Sequence, residues 1–143
     1  MRLSVVIITF NEENNIGRCL ASVKRVADEI IVVDSNSTDR TVAIAREHGA
    51  TIHLQAFLGY VEQKNFALGL AAHEYVLSLD ADEALDETLE TSIMKAMKNP
   101  AVDGYFMNRC TNYCGKFITH GSWYPDKKLR LFRKSLAQWG GDN

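Results

Sequence analysis

The sequence lacks the features that mark membrane-spanning, exported and nucleic-acid-binding chains. Its longest apolar runs, residues 3–8 and 30–33, are too short to cross a bilayer, which takes about 20 residues of helix. The chain does not open with the basic start and long apolar core of a signal peptide. The formal net charge is -2, whereas nucleic-acid binders usually carry a basic patch. We therefore expect a cytoplasmic domain without a nucleic-acid partner.

Cysteine is also scarce, with only Cys19, Cys110 and Cys114 present. An odd count without a CxxC pair is unlike the disulfide framework of a small secreted domain. Cys110 and Cys114 could be combined with His120 in a zinc cluster, but their spacing fits no common zinc site and only three ligands are in view. Ordinary reduced thiols are the favoured interpretation.

Two glycine-rich loops that commonly hold phosphates are missing. No GxGxxG follows the first apolar run, and no GxxxxGK[ST] occurs in the chain. If the chain binds a nucleotide, a metal ion is therefore the expected holder of its diphosphate.

What the chain does contain is an alternation of strands and helices over its first hundred residues. Its 143 residues suffice for one domain with a proper core. Continuous apolar runs and helical spacings predict strands at 3–9, 29–33, 51–55 and 75–79, and helices at about 16–26, 38–48, 60–72 and 86–98. Such alternation implies right-handed crossovers. We therefore expect an α/β fold with a mainly parallel central sheet flanked by helices.

Local signals predict the helix ends and the later strands. Residues 11–14 can cap the first helix, Ser37 or Thr38 the second, and Asp86 the fourth, while Gly49 is a natural C-terminal stop. After Pro100 the sequence no longer alternates between predicted strands and helices, and strands are predicted at 104–111 and 128–132. These later strands would join the sheet in mixed orientation.

Polar side chains gather where the predicted strands end. Asp80-Ala81-Asp82 follows the fourth strand, and Asp34 ends the second. Ligands of open α/β sheets bind outside the carboxyl ends of the strands, so these groups should face one crevice. Carboxylate oxygens suit Mg²⁺ or Mn²⁺, which take one or two of them together with substrate phosphates. The residues alone thus lead to a metal-assisted site, with the alternative that the two aspartates simply end a strand in solvent.

Four segments, in this order and spacing, resemble family 2 glycosyltransferases with the GT-A fold. They are residues 5–12, 34–39, 63–65 and 80–82, and a later segment, 123–132, resembles a bacterial subset that builds lipopolysaccharide core or related surface glycans. The resemblance implies a metal-dependent inverting enzyme that moves a sugar from a nucleotide-diphosphate donor, a UDP-sugar being favoured, to a glycan or lipid-linked acceptor. It also implies one domain over residues 1–143, with the nucleotide-sugar part at 1–99 and the start of the acceptor side at 100–143. For the full-length protein, the resemblance also implies peripheral contact with the inner face of the bacterial cytoplasmic membrane.

Roles at the nucleoside end of the donor follow from the same resemblance. Thr9, Asn11 and Glu13 would lie against the base and ribose. Asp34 would accept a hydrogen bond from a base N–H, and Asp80 would lie near the ribose. Asn11 and Glu13 also have a plainer interpretation, because both could merely begin a helix.

At the phosphate end, the resemblance implies that Asp82 holds Mg²⁺ or Mn²⁺ between the two phosphates. Such an ion would neutralise the diphosphate as it leaves. Lys64 stands where the family often has Arg near the nucleotide, although it could also be a solvated charge on a helix face. Asp39 is better explained as a first-turn helix residue than as a ligand.

One family feature is not found in these residues. Inverting members use a carboxylate base, which must lie within hydrogen-bond reach of the acceptor hydroxyl. We expect this base beyond Asn143, with Asp126 as a weaker internal candidate, since Tyr-Pro-Asp typically shapes a turn. The chain is therefore expected to be an N-terminal fragment that binds donor but transfers sugar poorly.

Two other classes share parts of the pattern. A nucleotidyltransferase can have a similar core and metal carboxylates, but no Gly-rich basic loop follows the first strand here. A phospho-receiver domain has acidic strand ends, but it needs one phosphorylatable Asp on its third strand. The Asp80-Ala81-Asp82 pair on the fourth strand fits that arrangement poorly.

Overall fold

The first strand lies at the centre of the sheet. Leu3–Thr9 (β1) is apolar or β-branched at nearly every position, and six of its seven residues are buried, as suits a strand covered on both faces. The computed structural model describes residues 2–98, 104–108, 117–118 and 127–134. The other elements, in chain order, are α1 (Ile16–Val23), β2 (Glu29–Asp34), α2 (Thr41–Glu47), β3 (Thr51–Leu54), α3 (Tyr60–Leu70), β4 (Tyr75–Asp80), α4 (Glu87–Lys98), β5 (Gly104–Asn108), β6 (Phe117–Ile118) and β7 (Lys127–Arg133).

The sheet confirms the mainly parallel α/β prediction. Its strand order is β3-β2-β1-β4-β7-β5-β6. The four early strands pair in parallel, β1 with both β2 and β4, and β2 with β3. The late strands are antiparallel, with β7 between β4 and β5, and β6 beside β5. Parallel neighbours in the first part and antiparallel ones in the second are the mixed arrangement that the change after Pro100 predicted.

Helices cover both faces of the sheet. Successive side chains of a strand point to opposite faces, so Val5 and Ile7 pack on one side of β1 and Val6 on the other. The first side is covered by α1, α2 and α4, through buried residues that include Leu20, Ala45 and Ile93. The second side is covered by α3, through Ala67 and Leu68. Of the helices within the described ranges, none is both long enough and apolar enough to span a bilayer.

The predicted helix ends are only partly right. Asp86 caps α4, since its Oδ1 accepts the Leu89 amide at 2.8 Å, and Gly49 follows α2 with a φ of 81°. The prediction that Ser37 or Thr38 caps α2 is wrong, because Arg40 is the N-cap residue and makes no side-chain cap bond. The Asp39 carboxylate instead accepts the Thr41 amide at 3.0 Å. The first helix also ends at Val23, earlier than its apolar spacing predicted.

The register of the central strands brings the polar strand ends together. Thr9 of β1 lies beside Asp34 of β2, and Ile8 lies beside Asp80 of β4. Because these strands are parallel, their carboxyl ends share one edge of the sheet, and that edge is the expected position of a ligand.

Candidate functional site

A cavity of about 690 Å³ lies at this edge of the sheet. Of the residues singled out from the sequence, Thr9, Lys64, Asp80 and Asp82 line it. Asn11, Glu13 and Asp34 do not line it. The remaining lining residues are Ile8, Phe10, Glu12, Ser35, Phe57, Tyr60, Gln63 and Ala81.

The turn after β4, residues 80–83, places two carboxylates in the cavity and uses neither of them to build itself. The Glu83 carboxylate closes the turn by accepting the Asp80 amide at 2.8 Å, and the Glu83 amide donates to the Asp80 carbonyl at 3.0 Å. We name residues 80–83 the acidic turn. Within the described part of the chain, the carboxylates of Asp80 and Asp82 accept no hydrogen bond and pair with no cation. Both are therefore available to a ligand.

Two such carboxylates fit a hard divalent cation only together with other ligands. Among the described residues, no group of three or more His, Cys, Asp or Glu side chains is arranged to hold a metal ion. Mg²⁺ characteristically takes one or two carboxylates and completes its coordination with water and substrate phosphates. The acidic turn offers two carboxylates, so it suits a divalent cation whose other ligands are water and the phosphates of a substrate.

A buried thiol lies beneath the acidic turn. Cys19 is fully buried, and its Sγ donates to the Asp80 carbonyl at 3.8 Å. Burial, followed by the nearby negative charges of Glu83, Asp80 and Asp82, raises the pKa of this thiol well above its ordinary value. Cys19 is thus a neutral thiol that supports the turn.

Thr9 contributes an unpartnered hydroxyl at the cavity. Its side chain is 6% exposed, and its Oγ1 has no hydrogen-bond partner among the residues that the structure describes. Its carbonyl is used by the fold, since it accepts the Ser35 amide at 2.9 Å. A buried hydroxyl without a partner costs about 1–3 kcal/mol, so a polar ligand group that bonds to it would recover that cost.

The side chain of Asp34 and both the amide and the side chain of Asn11 bond to the loop after β2, and neither residue lines the cavity. Asp34 is completely buried, and its two oxygens accept the amide and hydroxyl of Ser37. The same Ser37 hydroxyl accepts the Asn11 amide at 2.8 Å, and Asn11 Oδ1 accepts the Thr38 amide at 2.8 Å. Asn11 holds a φ of 49°, which asparagine tolerates better than most residues. These bonds tie the loop after β1 to the loop after β2.

Glu13 extends the same connection. Its carboxylate accepts the Arg40 amide at 3.2 Å, and its own amide donates to Asp39 Oδ2 at 3.2 Å. The Glu12 amide donates to Thr41 Oγ1 at 2.9 Å. We name residues 11–13 and 34–41, joined by these bonds, the clasp. Within the clasp, hydrogen-bond donors offset the crowded negative charge, without need of a metal ion.

Asp39 shows the electrostatic effect of the clasp. Partial removal from water acts to raise the pKa of its carboxyl. The hydrogen bonds donated by the hydroxyl and amide of Thr41 and by the amide of Glu13 prevail, and they hold this pKa below its ordinary value. Asp39 precedes α2 and bonds to its first turn, so it stabilises the start of this helix. The sequence likewise favours Asp39 as a residue of the helix start rather than as a ligand.

The match to a known family decides what kind of protein carries this cavity. Residues 4–142 match the family described as Glycosyl transferase family 2. The chain belongs to glycosyl transferase family 2. Members of this family are enzymes, so the cavity lies in an enzyme domain.

Two curated relatives extend the likeness along nearly the whole chain. An uncharacterized glycosyltransferase of Rickettsia typhi is 48% identical over 141 residues, which cover 96% of this chain and 48% of that protein. The lipopolysaccharide core biosynthesis glycosyltransferase LpsC of Rhizobium meliloti is 32% identical over 143 residues, which cover 96% of this chain and 53% of that protein. The chain thus spans about half the length of these two relatives.

A solved structure shares the fold of this family 2 domain. It is glucosyl-3-phosphoglycerate synthase from Mycobacterium tuberculosis, in complex with Mn²⁺, UDP and glucosyl-3-phosphoglycerate. The two structures agree with a TM-score of 0.61 at 22% identity, over 75% of this chain and 43% of that one. The GT-A fold implied by the sequence resemblance is thereby confirmed.

Several cavity residues of the family 2 domain were not singled out from the sequence. Phe57 and Tyr60 are large and exposed, and their rings meet edge to face with centroids 5.1 Å apart. Together with Phe10, they give the cavity an apolar rim. The available signal was the run Phe57-Leu58-Gly59-Tyr60, which places bulky apolar side chains in a predicted loop and at the start of the helix predicted after it. Four residues discussed from the sequence, Cys110, Cys114, His120 and Asp126, lie outside the described residues.

Proposed function

We propose that the cavity binds the nucleotide-diphosphate part of a sugar donor, together with Mg²⁺ or Mn²⁺. The observation that carries this proposal is a set of polar groups in one cavity that the fold does not use for its own hydrogen bonds. The carboxylates of Asp80 and Asp82 and the buried hydroxyl of Thr9 lack partners among the described residues, and Lys64 adds a positive charge beside them. A ligand with phosphates, hydroxyl groups and a cation would satisfy all of these groups.

At the phosphate end, Asp82 is the proposed metal ligand and Asp80 is its neighbour near the ribose. Asp82 is the more exposed of the two, so an ion bound there keeps room for phosphate and water oxygens. A divalent ion in this position neutralises the diphosphate leaving group as the bond to the sugar breaks. Lys64 would add to that neutralisation as a second positive charge on the diphosphate.

At the nucleoside end, Thr9 would donate or accept through its free hydroxyl. The Asp34 carboxylate accepts two bonds from Ser37, and an ionised carboxylate has about four acceptor sites, so it retains capacity for a base N–H. Asn11 and Glu13 would lie against the base and ribose through the backbone that the clasp holds in place. A uridine donor is proposed because the family resemblance favours a UDP-sugar; the M. tuberculosis synthase, which shares the fold, is in complex with UDP and Mn²⁺.

The proposed reaction is transfer of the sugar, with inversion, to an acceptor used in the cell envelope. Support comes from the 32% identity to LpsC, which is named for lipopolysaccharide core biosynthesis. The acceptor would be a glycan or lipid-linked glycan reached from the cytoplasmic face of the membrane. The carboxylate base is proposed to lie outside these 143 residues, with Asp126 as the internal alternative.

Calorimetric titration tests the donor site directly. UDP is titrated into the protein with and without Mn²⁺, and GDP serves as the matched control for the base. We expect UDP to bind only with the metal and GDP to bind more weakly. Tighter binding of GDP would replace uridine as the base while keeping the donor site. Absence of binding by both nucleotides would contradict the proposal.

A further inference from the structure

The side chain of Gln63 joins three separate segments beneath the cavity. It is 1% exposed and lies in the first turn of α3. Its Nε2 donates to Ser35 Oγ at 3.1 Å and to the Gln55 carbonyl at 3.2 Å. Its Oε1 accepts the Leu58 amide at 3.3 Å. One amide group thus connects the loop after β2 with both ends of the segment between β3 and α3.

We name residues 55–59 the wall segment, because they carry Phe57, which lines the cavity. Leu58 of the same segment is exposed. The wall segment lies outside helix and strand, so its shape depends on a few anchors. At its start, the Gln55 amide donates to the Asp34 carbonyl at 2.9 Å. The other anchors come from Gln63 and from its own last residue.

Gly59 sets the direction in which the wall segment enters α3. Its φ of 116° and ψ of 155° lie in a region that is essentially restricted to glycine. Its carbonyl accepts the Gln63 amide at 2.8 Å, which closes the first turn of the helix. Backbone geometry thus fixes the last residue of the segment, while the Gln63 side chain holds Gln55 and Leu58.

The bonding capacity of Gln63 argues that it positions other residues rather than binding the ligand. A glutamine amide has two N–H donors, and here both are used within the protein. With the side chain almost fully buried, no donor remains for a ligand. We propose that Gln63 is a positioning residue, which holds Phe57 and Ser35 in place as one wall of the donor site. The part of this inference that concerns affinity rests on the proposed function.

Hydrogen exchange tests the positioning role without a ligand. Gln63→Met keeps the length of the side chain but removes all three bonds. We expect the Leu58 amide and its neighbours in the wall segment to exchange about two- to tenfold faster, since one net hydrogen bond is lost at each anchor. Unchanged exchange in this segment would overturn the inference, whether or not the protein binds a nucleotide.

A matched control separates positioning from a general loss of stability. Ser4 is also fully buried and joins two segments, since its Oγ donates to Glu29 Oε1 at 2.7 Å and accepts the His73 amide at 3.1 Å. It lies near the opposite end of β1 from Thr9, about 17 Å away at the usual rise of a strand. Ser4→Ala should therefore leave exchange in the wall segment at the wild-type rate.

Titration with UDP and Mn²⁺ then tests the effect on affinity. For Gln63→Met we expect a Kd about three- to tenfold higher with unchanged stoichiometry, and for Ser4→Ala an unchanged Kd. A lower stoichiometry with the wild-type Kd would mean that Gln63 only stabilises the fold, and it would overturn the inference. If the wild-type protein itself binds no nucleotide, the proposed function fails while the exchange result still decides the role of Gln63.

A second variant guards against misfolding of the first. Gln63→Glu preserves the shape of the side chain and the acceptor for the Leu58 amide, but an ionised carboxylate cannot donate to Ser35 or to the Gln55 carbonyl. We expect fast exchange at the start of the wall segment and a raised Kd. Wild-type values for both quantities would contradict the proposal.

Discussion

The clasp and the acidic turn are both rich in acids and both lie at the carboxyl ends of strands, but they use their carboxylates in opposite ways. In the clasp, Asp34, Glu13 and Asp39 each accept hydrogen bonds from the chain itself. In the acidic turn, Asp80 and Asp82 have no such partners among the described residues. A dense group of acids therefore does not by itself mark a ligand site. The distinction lies in whether the fold supplies donors for them.

The largest effect should come from breaking the acidic turn. Asp82→Ala removes the proposed metal ligand and should weaken Mn²⁺-dependent UDP binding by about 100-fold or more, equal to ~2.7 kcal/mol. The melting temperature should fall little or rise, because neighbouring carboxylates repel each other without an ion. Calorimetry and thermal unfolding measure the two quantities. The matched control is Asp39→Asn, which changes an acid outside the cavity and should keep the metal dependence. Undiminished metal dependence in Asp82→Ala would contradict the assigned role.

Breaking the clasp should affect stability first. Asp34→Ala leaves the half-buried amide of Ser37 without its acceptor, and we expect a loss of about 1–3 kcal/mol in the free energy of unfolding. Urea denaturation measures this loss. If Asp34 also accepts a base N–H, the affinity for UDP falls by a further ~1–3 kcal/mol, the cost of an unpaired buried donor. A variant with wild-type stability would show that the bonds to Ser37 contribute nothing.

Thr9 lies between the clasp and the acidic turn. We expect its replacement to raise the stability of the free protein but to weaken the binding of UDP. Thr9→Val keeps the shape of the side chain and removes a buried hydroxyl that lacks a partner. The free protein should therefore be stabilised by about 1 kcal/mol, whereas binding of UDP with Mn²⁺ should weaken by about 1 kcal/mol. Thermal unfolding without ligand and calorimetry with ligand measure the two changes. Tighter binding by the variant would exclude a ligand contact at this hydroxyl.

The smallest effect concerns the acid stability of the clasp. The pKa of Asp39 is lowered in the folded protein, so its contribution to stability is present above the ordinary pKa of about 3.8 and is lost as the pH falls through the lowered value. Urea unfolding midpoints measured from about pH 5 to about pH 3 should therefore fall more steeply for the wild type than for Asp39→Asn. Parallel curves for the two proteins would show that the bonds from Thr41 and Glu13 do not favour the ionised form.

The local sequence pattern was sufficient to predict the strands and the edge of the sheet at which the candidate site lies. The apolar run of β1 and the position of Asp80-Ala81-Asp82 after β4 were both readable, because strand periodicity and strand ends are local properties. The hydrogen bonds of the clasp could not be predicted from the sequence. Ser37 was predicted to cap α2, but its hydroxyl bonds instead to Asp34 and to the Asn11 amide, 26 residues away. Hydrogen-bond partners so distant in sequence depend on the tertiary structure, which local pattern does not reveal.

Gln63 illustrates the same limit inside the site. From the sequence it belonged to a family-like segment with Lys64 and Asn65, and nothing local distinguished its role from theirs. Its burial and its bonds to Ser35 and Gln55 arise only when α3 packs on the sheet against β1 and β2. The roles of Thr9, Asp34, Lys64, Asp80 and Asp82 toward a donor remain predictions that the experiments above address.

The pairing of β4 with β7 sets an order in which the site can be assembled. The strand that carries Asp80 has β1 on one side, but its other neighbour is formed by residues 127–133, with Tyr75 beside Arg133. During synthesis, a ribosome adds about 5–20 residues per second, so several seconds separate the emergence of β4 from that of its second neighbour. Throughout this interval the β4 edge is open to pairing with another chain. The strand that carries Asp80 is thus the last of the parallel strands to gain its second neighbour, and a chain stopped before residue 127 would leave that edge exposed.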